Sequence, residues 1–285
     1  MEKIIKEKIS SLLSQEEEVL SVEQLGGMTN QNYLVKTTNK QYIVKFFGKG
    51  TEKLINRQDE KYNLELLKDL DLDVRNYLFD IEAGIKVNEY IESAITLDST
   101  SIKTKFDKIA PILQTIHASG KELRGEFAPF EEISKYESLI EGPIPYENYE
   151  AVRKDVFSLE KRLADLGVDR KPCHIDLVPE NFIESPQGRM YLIDWEYSSM
   201  NDPMWDLAAL FLESEFTKQE EDDFLSYYES DKTPVSREKI RIYKILQDTI
   251  WSLWTVYKEA QGADFGDYGI NRYQRAVEGL TYYGG

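Results

Sequence analysis

The sequence predicts an α+β protein with two lobes, a small β-rich N-terminal lobe over residues 1–90 and a larger, mostly helical C-terminal lobe over residues 91–285. Two patterns predict this division. Short alternating apolar runs separated by turn residues dominate the first 90 positions, and helical spacing of apolar residues dominates the remainder. The length of 285 residues, 41% of them hydrophobic, is enough for a well-buried core.

The N-terminal lobe is predicted to hold three strands, a helix and two further strands, after an amphipathic N-terminal helix. A tight Asn39-Lys40 turn joins the second and third strands. Residues 51–70 then switch to helical spacing, and the apolar stripe is formed by Leu54, Tyr62, Leu66 and Leu67. The predicted strands are residues 19–25, 32–37, 41–47, 77–79 and 85–90.

The C-terminal lobe is predicted to be helical apart from one short hairpin. The hairpin pairs residues 181–184 with 190–194 around a Pro186-Gln187-Gly188 turn. A β-rich lobe joined by one short strand to a helical lobe is the plan of a bilobal, protein-kinase-like fold. The predicted helices are residues 100–118, 151–166, 204–215, 218–229, 236–260 and 269–281.

Composition excludes several classes of protein. The 52 acidic and 35 basic side chains give a net charge of −17, which disfavours binding to nucleic acid or anionic lipid. No apolar run approaches the roughly 20 residues of a membrane helix, and the N-terminus lacks the apolar stretch of a signal peptide. With one cysteine, Cys173, and two histidines, neither a disulfide nor a zinc cluster is expected. These features predict a cytoplasmic protein without membrane insertion.

Two motifs in the C-terminal half carry the strongest chemical signal. The first is His174-x-Asp176-x-x-x-x-Asn181, and the second is an apolar strand that ends in Asp194. Phosphoryl transfer needs a group that accepts or orients the proton of the nucleophile, a role that suits Asp176. It also needs oxygen ligands that hold Mg²⁺ on the phosphates, which Asn181 and Asp194 can supply. The two motifs therefore predict a catalytic set of Asp176, Asn181 and Asp194.

A glycine-containing loop precedes these motifs in the N-terminal lobe. Small and polar residues there would let backbone N–H groups approach phosphate oxygens. The loop matches neither the P-loop pattern nor the dinucleotide-binding pattern, and a plain hairpin turn is the alternative. The candidate phosphate-binding residues of this loop are Gly27, Thr29, Asn30 and Asn32.

Lys45 lies within the apolar third strand, where a charged side chain is costly unless it is paired. We expect Glu60 of the following helix to pair with it, which would leave the ammonium group free to contact the α- and β-phosphates. The alternative is a lysine on the solvent face of the strand.

Taken together, these residues resemble the choline/ethanolamine kinase branch of the aminoglycoside-phosphotransferase-like kinases, and within it the LicA-type bacterial choline kinases. The resemblance covers nearly the whole chain. It departs from the family at Ile175, where relatives commonly carry Asn, and at Pro179-Glu180. It implies a transferase that uses ATP and Mg²⁺ to phosphorylate choline, giving phosphocholine. The residues that carry it are Gly26, Gly27, Thr29, Asn30, Lys45, Glu60, His174, Asp176, Asn181 and Ile193-Asp194-Trp195-Glu196-Tyr197.

The resemblance also implies how the two substrates are held. Adenine would pair with the Asn88 carbonyl and the Tyr90 N–H, and the choline hydroxyl would face Asp176. Trp251 and Trp254 lie one helical turn apart and share a face, as a cage for trimethylammonium requires, although such pairs are also typical of a helical core. The residues implied around the trimethylammonium group are Tyr197, Glu213, Trp251, Trp254 and Tyr268.

Other functions remain open at this point. The same chemistry could act on ethanolamine or an aminoglycoside, although the tryptophan pair favours a methylated ammonium. A catalytically inactive kinase-like binding module is disfavoured because Lys45, Asp176, Asn181 and Asp194 are all present. A protein kinase is disfavoured because the sequence lacks the G-x-G-x-x-G loop and the A-P-E motif.

Overall fold

The structure is a computed structural model that describes residues 2–10, 13, 17–26 and 30–284. The chain divides into two compact units. The first unit joins Met1–Leu97 to Glu180–Tyr197, and the second joins Asp98–Pro179 to Ser198–Gly285. The first is rich in strands and the second is mostly helical, which confirms the predicted fold class.

The first unit is built on an antiparallel five-stranded sheet in the order β1-β2-β3-β5-β4. Helix α1 precedes it over Glu2–Ser10. The five strands follow the predicted runs to within two residues. They are β1 Val19–Gln24, β2 Gln31–Thr37, β3 Gln41–Phe46, β4 Asn76–Asp80 and β5 Ile85–Glu89.

One face of this sheet is apolar and packs against α1. Val35, Val44 and Val87 are fully buried there, together with Ile5 and Ile9 from the helix. Because successive side chains of a strand point to opposite faces, the residues next to these valines lie on the other face. That second face carries the charged groups described below.

The predicted helix over 51–70 is interrupted, so its beginning was placed wrongly. A 3₁₀ turn covers Thr51–Lys53, and helix α2 begins only at Arg57 and ends at Leu67. The reason is the side chain of Asn56, which accepts hydrogen bonds from the backbone N–H groups of Gln58 and Asp59 and caps the helix. A second 3₁₀ turn then covers Lys68–Leu70.

A small three-stranded sheet completes the first unit with residues from later in the chain. Strand β6 Ile95–Thr96 pairs with β8 Phe182–Glu184, which pairs with β9 Met190–Leu192. The predicted lobes met at residue 90. The first compact unit extends to Leu97 and includes the hairpin, because backbone hydrogen bonds tie the hairpin to the earlier segment.

The second unit is a helical assembly around the long helix α8, which packs against α4, α5, α6 and α9. Helix α4 was not predicted from the sequence. The short strands β7 and β10 were also not predicted, because three residues are too few to show a periodic pattern. The elements are α3 Phe106–His117, α4 Pro129–Leu139, α5 Tyr149–Leu166, β7 Lys171–Cys173, β10 Ser199–Asn201, α6 Pro203–Glu213, α7 Lys218–Tyr228, α8 Arg237–Glu259 and α9 Tyr268–Gly284. Across the part of the chain that the structure describes, no helix has the length and apolarity to span a membrane.

Candidate active site

The loop that carries Asp176 is held in place by the buried carboxylate of Asp206. Asp206 accepts hydrogen bonds from the backbone N–H groups of His174 and Ile175, each at 2.8 Å. His117 Nε2 lies 3.0 Å from the same carboxylate. Asp206 is fully buried, so these contacts replace the water that it lost on folding.

The backbone of this loop is strained at Ile175, whose φ is 76°. A β-branched residue rarely adopts this left-handed conformation, and it persists only where surrounding contacts enforce it. The Ile175 N–H donates to Asp206, and the Ile175 carbonyl accepts a hydrogen bond from Trp205 Nε1–H at 3.0 Å. Asn tolerates this conformation better than Ile, so Ile175 is a strained residue at this position.

Asp176 is half-buried and lies within electrostatic reach of Tyr268, in the same unit. Burial raises the pKa of the Tyr268 hydroxyl, Arg272 opposes that effect, and the negative charges of Glu213 and Asp176 add to it. Three of the predicted acceptor-binding residues are therefore neighbours in the second unit.

Glu213, Arg272 and Asp248 form an ion-pair chain beside Tyr268, in which Arg272 and Asp248 are buried and Glu213 is half-buried. Arg272 Nη2 donates to Glu213, and its Nη1 lies 3.0 Å from Asp248 Oδ1. The guanidinium carbon of Arg272 lies 4.7 Å from the ring centroid of Tyr268. Arg275 Nη2 also contacts Asp248, at 2.5 Å. The sequence analysis did not select Arg272, since nothing in the sequence marks this arginine as buried.

The two predicted tryptophans form an aromatic cluster on α8. The ring centroids of Trp251 and Trp254 are 6.5 Å apart in an edge-to-face arrangement, and both side chains are buried. Phe265, which the sequence analysis did not select, packs against Trp254 with a centroid distance of 4.9 Å. The cluster is compatible with both predicted readings, an aromatic cage and a helical core.

In the first unit, the β8–β9 hairpin brings Asn181 next to the strand end that carries Asp194. The backbone N–H of Ile193 donates to the Asn181 carbonyl at 2.8 Å. Asp194 has a φ of 69° and is, like Ile175, a non-glycine residue in the left-handed conformation. An amide oxygen and a carboxylate at one end of a hairpin are the hard oxygen donors that suit Mg²⁺.

Lys45 is paired, but not with Glu60. Its Nζ lies 2.5 Å from Asp194 Oδ1. Glu60 instead pairs with Lys86 Nζ and Arg57 Nη1, both at 2.6 Å, so the predicted Lys45–Glu60 pair was wrong. The physical reason is Lys86, a second buried lysine on β5 that occupies the carboxylate of Glu60.

The charges around Glu60 fix its ionisation. Burial alone would raise the pKa of this carboxyl group, but the charges of Lys86 and Arg57 outweigh it and hold the pKa below its usual value. Lys86 could have been found from the sequence. It lies between Ile85 and Val87 in an apolar strand, the pattern that singled out Lys45.

Arg57 links the glycine-containing loop to the motif that follows Asp194. Its Nη1 lies 2.9 Å from Glu196 Oε2, and its Nη2 donates to Asn30 Oδ1 at 3.2 Å. Asn30 Nδ2 in turn donates to Glu196 at 2.8 Å, so the Asn30 side chain is used inside the protein. Burial raises the pKa of Glu196, with a further contribution from Asp194.

The loop between β1 and β2 is described in part. Asn32 Nδ2 donates to the Gly26 carbonyl at 3.0 Å, and the Leu25 N–H donates to the Asn32 carbonyl at 2.8 Å. These bonds close the loop as a hairpin connection. The predicted phosphate-binding residues Gly27 and Thr29 lie outside the described residues.

The two predicted adenine-binding positions lie at the end of β5. Asn88 pairs with Ile43 of β3 and Asn76 of β4, so it belongs to the sheet. Its side-chain oxygen accepts a hydrogen bond from Asn76 Nδ2 at 2.8 Å. Tyr90 directly follows the strand and is half-buried.

Asp73 is a further acidic group of the first unit that the sequence analysis did not select. It is half-buried in the turn before β4, and the Val74 N–H donates to its Oδ1 at 2.7 Å. Burial raises the pKa of Asp73 to about 7, Lys86 and Lys45 act against that rise, and Asp194 adds to it.

The predicted site residues therefore fall into two sets. Lys45, Asn181 and Asp194 belong to the first unit, where Lys45 and Asp194 are in contact, and Tyr197 belongs to the same unit. The second unit holds the other predicted acceptor-binding residues, which are Asp176, Glu213, Trp251, Trp254 and Tyr268.

Comparisons with known proteins agree on one family. The sequence profile described as choline/ethanolamine kinase matches residues 22–239. The solved structure of choline kinase LicA from Streptococcus pneumoniae is similar, with 89% identity, coverage of 99% of each chain and a TM-score of 0.96. A structure of LicA in complex with AMP has 90% identity, covers 99% of this chain and 98% of that chain, and has a TM-score of 0.94. Protein LicA of Haemophilus influenzae is 28% identical over 262 residues, which cover 88% of this chain and 98% of that protein.

Proposed function

The chain belongs to the choline/ethanolamine kinase family, and from that membership we propose that it transfers the γ-phosphoryl group of ATP to the hydroxyl oxygen of choline. The products are phosphocholine and ADP. The identity of 89% to a solved choline kinase, over 99% of each chain, supports choline as the acceptor. The AMP complex of a chain with 90% identity supports an adenine nucleotide as the donor.

The observation that carries this proposal is the group around Asp194. A buried ammonium, Lys45, lies 2.5 Å from the Asp194 carboxylate, and the hairpin places Asn181 beside the same strand end. A cation that can contact phosphate oxygens and two oxygen donors for a metal are the parts that phosphoryl transfer requires.

Mg²⁺ fits this donor set. Asn181 and Asp194 would hold it, and the contact between the Lys45 ammonium and Asp194 supports a role for this carboxylate in binding a cation. When bound, the metal ion neutralises charge on the phosphates and holds them in line for transfer. Lys45 then contacts the α- and β-phosphates instead of Asp194.

Asp176 orients the choline hydroxyl and accepts its proton as the new O–P bond forms. The rigid loop supports this role, because the bonds from Asp206 to the backbone of His174 and Ile175 keep Asp176 in a fixed position. Asn88 and Tyr90 would pair with adenine through backbone groups. Gly27, Thr29, Asn30 and Asn32 would approach the phosphates.

The trimethylammonium group has no N–H donor, so aromatic faces and a nearby negative charge must hold it. Trp251, Trp254, Tyr268 and Tyr197 supply the faces, and Glu213 supplies the charge. ATP as a co-substrate and the lone reduced cysteine fit a cytoplasmic enzyme.

An ADP-release assay over choline, ethanolamine and an aminoglycoside tests the proposal, with phosphorus NMR to identify the product. We expect Mg²⁺-dependent turnover of choline to phosphocholine and higher kcat/KM for choline than for ethanolamine. Equal or faster turnover of ethanolamine or the aminoglycoside would move the enzyme to another branch of the superfamily. No turnover of any acceptor would contradict an active kinase.

A further inference from the structure

A buried arginine occupies the carboxylate that is assigned to the substrate ammonium. The Arg272 side chain is 3% exposed, and its Nη2 donates to Glu213 Oε1. Its other terminal nitrogen, Nη1, lies 3.0 Å from Asp248 Oδ1. Its guanidinium carbon lies 4.7 Å from the ring centroid of Tyr268. The proposed anionic group and one proposed aromatic face are thus both in contact with a cation of the protein itself.

This contact changes what Glu213 can offer to a ligand. A carboxylate has two oxygens that accept hydrogen bonds, and Arg272 takes up one of them. The positive charge of Arg272 also offsets the negative charge of Glu213. Glu213 therefore offers a reduced field and fewer acceptor positions than an unpaired carboxylate would.

Primary and quaternary ammonium groups respond differently to such a carboxylate. A primary ammonium has three N–H donors, each of which needs an acceptor once water is removed. A trimethylammonium group has none, and aromatic faces stabilise it without hydrogen bonds. The ion pair between Arg272 and Glu213 therefore weakens the binding of a primary ammonium group more than that of a quaternary one.

We propose that Arg272 is a positioning residue that sets the acceptor preference: by engaging Glu213, it disfavours a primary ammonium and so favours a quaternary one. This inference rests on the proposed function, because it concerns the acceptor of the same reaction. Arg272 acts through its ion pair with Glu213.

The test is the ratio of kcat/KM for choline to kcat/KM for ethanolamine in the full-length enzyme. In Arg272→Met, Glu213 is released, and we expect this ratio to fall about fivefold or more while the KM for ATP stays unchanged. Arg275→Met is the matched control, since Arg275 pairs with Asp248 but makes no ion pair with Glu213 among the described residues. Its ratio should equal that of the wild type. An unchanged ratio in Arg272→Met, or an equal fall in Arg275→Met, overturns the inference.

A structural role would give a different result in two further variants. In a Glu213→Gln background, adding Arg272→Met should leave the ratio unchanged, because the carboxylate that Arg272 controls is already gone. A further fall there would assign the effect to general disruption of the fold and overturn the inference. If Arg272→Met does not fold, the same ratio is measured in Arg272→Lys. A lysine ammonium keeps the positive charge but cannot reproduce the simultaneous contacts of the guanidinium with Glu213 and Asp248. A choline-to-ethanolamine ratio below that of the wild type supports the inference, and a wild-type ratio overturns it.

The same measurements separate this inference from the proposed function. If the wild type makes no phosphocholine, the proposed function fails. If it does make phosphocholine and the ratio does not move in the variants, only the role of Arg272 fails.

Discussion

Lys45 and Lys86 are directly opposite each other on neighbouring antiparallel strands, and each buried ammonium is held by a different carboxylate. Lys45 pairs with Asp194 and Lys86 with Glu60. Two like charges on one face of a sheet repel each other unless each has its own counter-ion. We assign a structural role to the Lys86–Glu60 pair. The Lys45–Asp194 pair belongs to the proposed phosphate- and metal-binding group.

The Lys86–Glu60 pair predicts that a substitution at Glu60 lowers the stability of the protein. Glu60→Gln leaves the buried Lys86 without a full counter-charge, so we expect a loss of about 3 kcal/mol in the free energy of unfolding. The folded fraction should keep a KM for ATP within about twofold of the wild type. Glu65→Gln is the control, because Glu65 lies on the same helix in an exposed pair with Lys68. A stable variant with a large rise in the KM for ATP would contradict this division of roles.

The Lys45–Asp194 pair predicts that a substitution at Lys45 weakens the binding of ATP. Lys45→Met keeps the apolar part of the side chain and removes the charge that contacts Asp194 and, in our proposal, the phosphates. We expect the KM for ATP to rise about tenfold or more, with the KM for choline little changed. Steady-state kinetics with each substrate varied in turn measures both. A wild-type KM for ATP would exclude Lys45 from the phosphate site.

The role of Asp176 predicts a loss in the chemical step alone. Asp176→Asn cannot accept the proton of the choline hydroxyl, and we expect kcat to fall about 100-fold or more. ATP binding, measured by calorimetry, should remain close to that of the wild type. The loop should keep its conformation, because Asp206 bonds to the backbone of His174 and Ile175 and not to this side chain. Turnover at the wild-type rate would remove Asp176 from the mechanism.

The aromatic cluster predicts a selective effect on choline. Trp254→Leu keeps apolar bulk but removes an aromatic face, and a loss of about 1–2 kcal/mol in choline binding corresponds to a five- to thirtyfold rise in KM. Phe224→Leu is the control, a fully buried aromatic in the Phe211–Phe216 cluster of the same unit. It should lower the melting temperature without changing the KM for choline. If both variants lower stability and neither changes that KM, the tryptophans are only core.

Asp73 predicts a dependence of stability on pH. Its pKa is raised from 3.8 to about 7 in the folded protein, so the charged form is disfavoured on folding. Stability is therefore lost as the pH rises from about 4 to 7, and Asp73→Asn removes that loss. We expect the variant to be more stable than the wild type by roughly 1–2 kcal/mol at pH 8, after allowance for partial exposure, and equal to it near pH 4. Urea midpoints across this range, with the exposed Asp71→Asn as control, measure the trend. A constant difference, or a less stable variant at pH 8, would contradict it.

Much of the fold was readable from periodicity. The strands of the main sheet and the long helices follow two- and 3.6-residue patterns closely, because each buries one face. The elements that were not predicted have other determinants. The pairing of β7 with β10 is set by long-range contacts, and the late start of α2 is set by the side chain of Asn56. Neither leaves a periodic signal.

The proposed site was readable where chemistry restricts the residue type. The types and order of Asp176, Asn181 and Asp194 predicted a phosphoryl-transfer site, and a lysine in an apolar strand must have a partner. Which carboxylate becomes that partner was not readable, because it depends on the register of β3 and β5. The burial of Arg57 and Arg272 was equally hidden, since an arginine on a helix is usually solvated.

The first compact unit is discontinuous in the chain, and this has a consequence for its synthesis. Its hairpin and Glu196 lie in Glu180–Tyr197, after residues 98–179 of the second unit. A ribosome adds roughly 5–20 residues per second, so about 5–20 s pass between the emergence of Leu97 and that of Tyr197. During that interval the nascent N-terminal segment holds Arg57 without Glu196 and Lys45 without Asp194. The β-rich unit is therefore completed only after all of residues 98–179 of the helical unit have been translated, although it begins at the N-terminus.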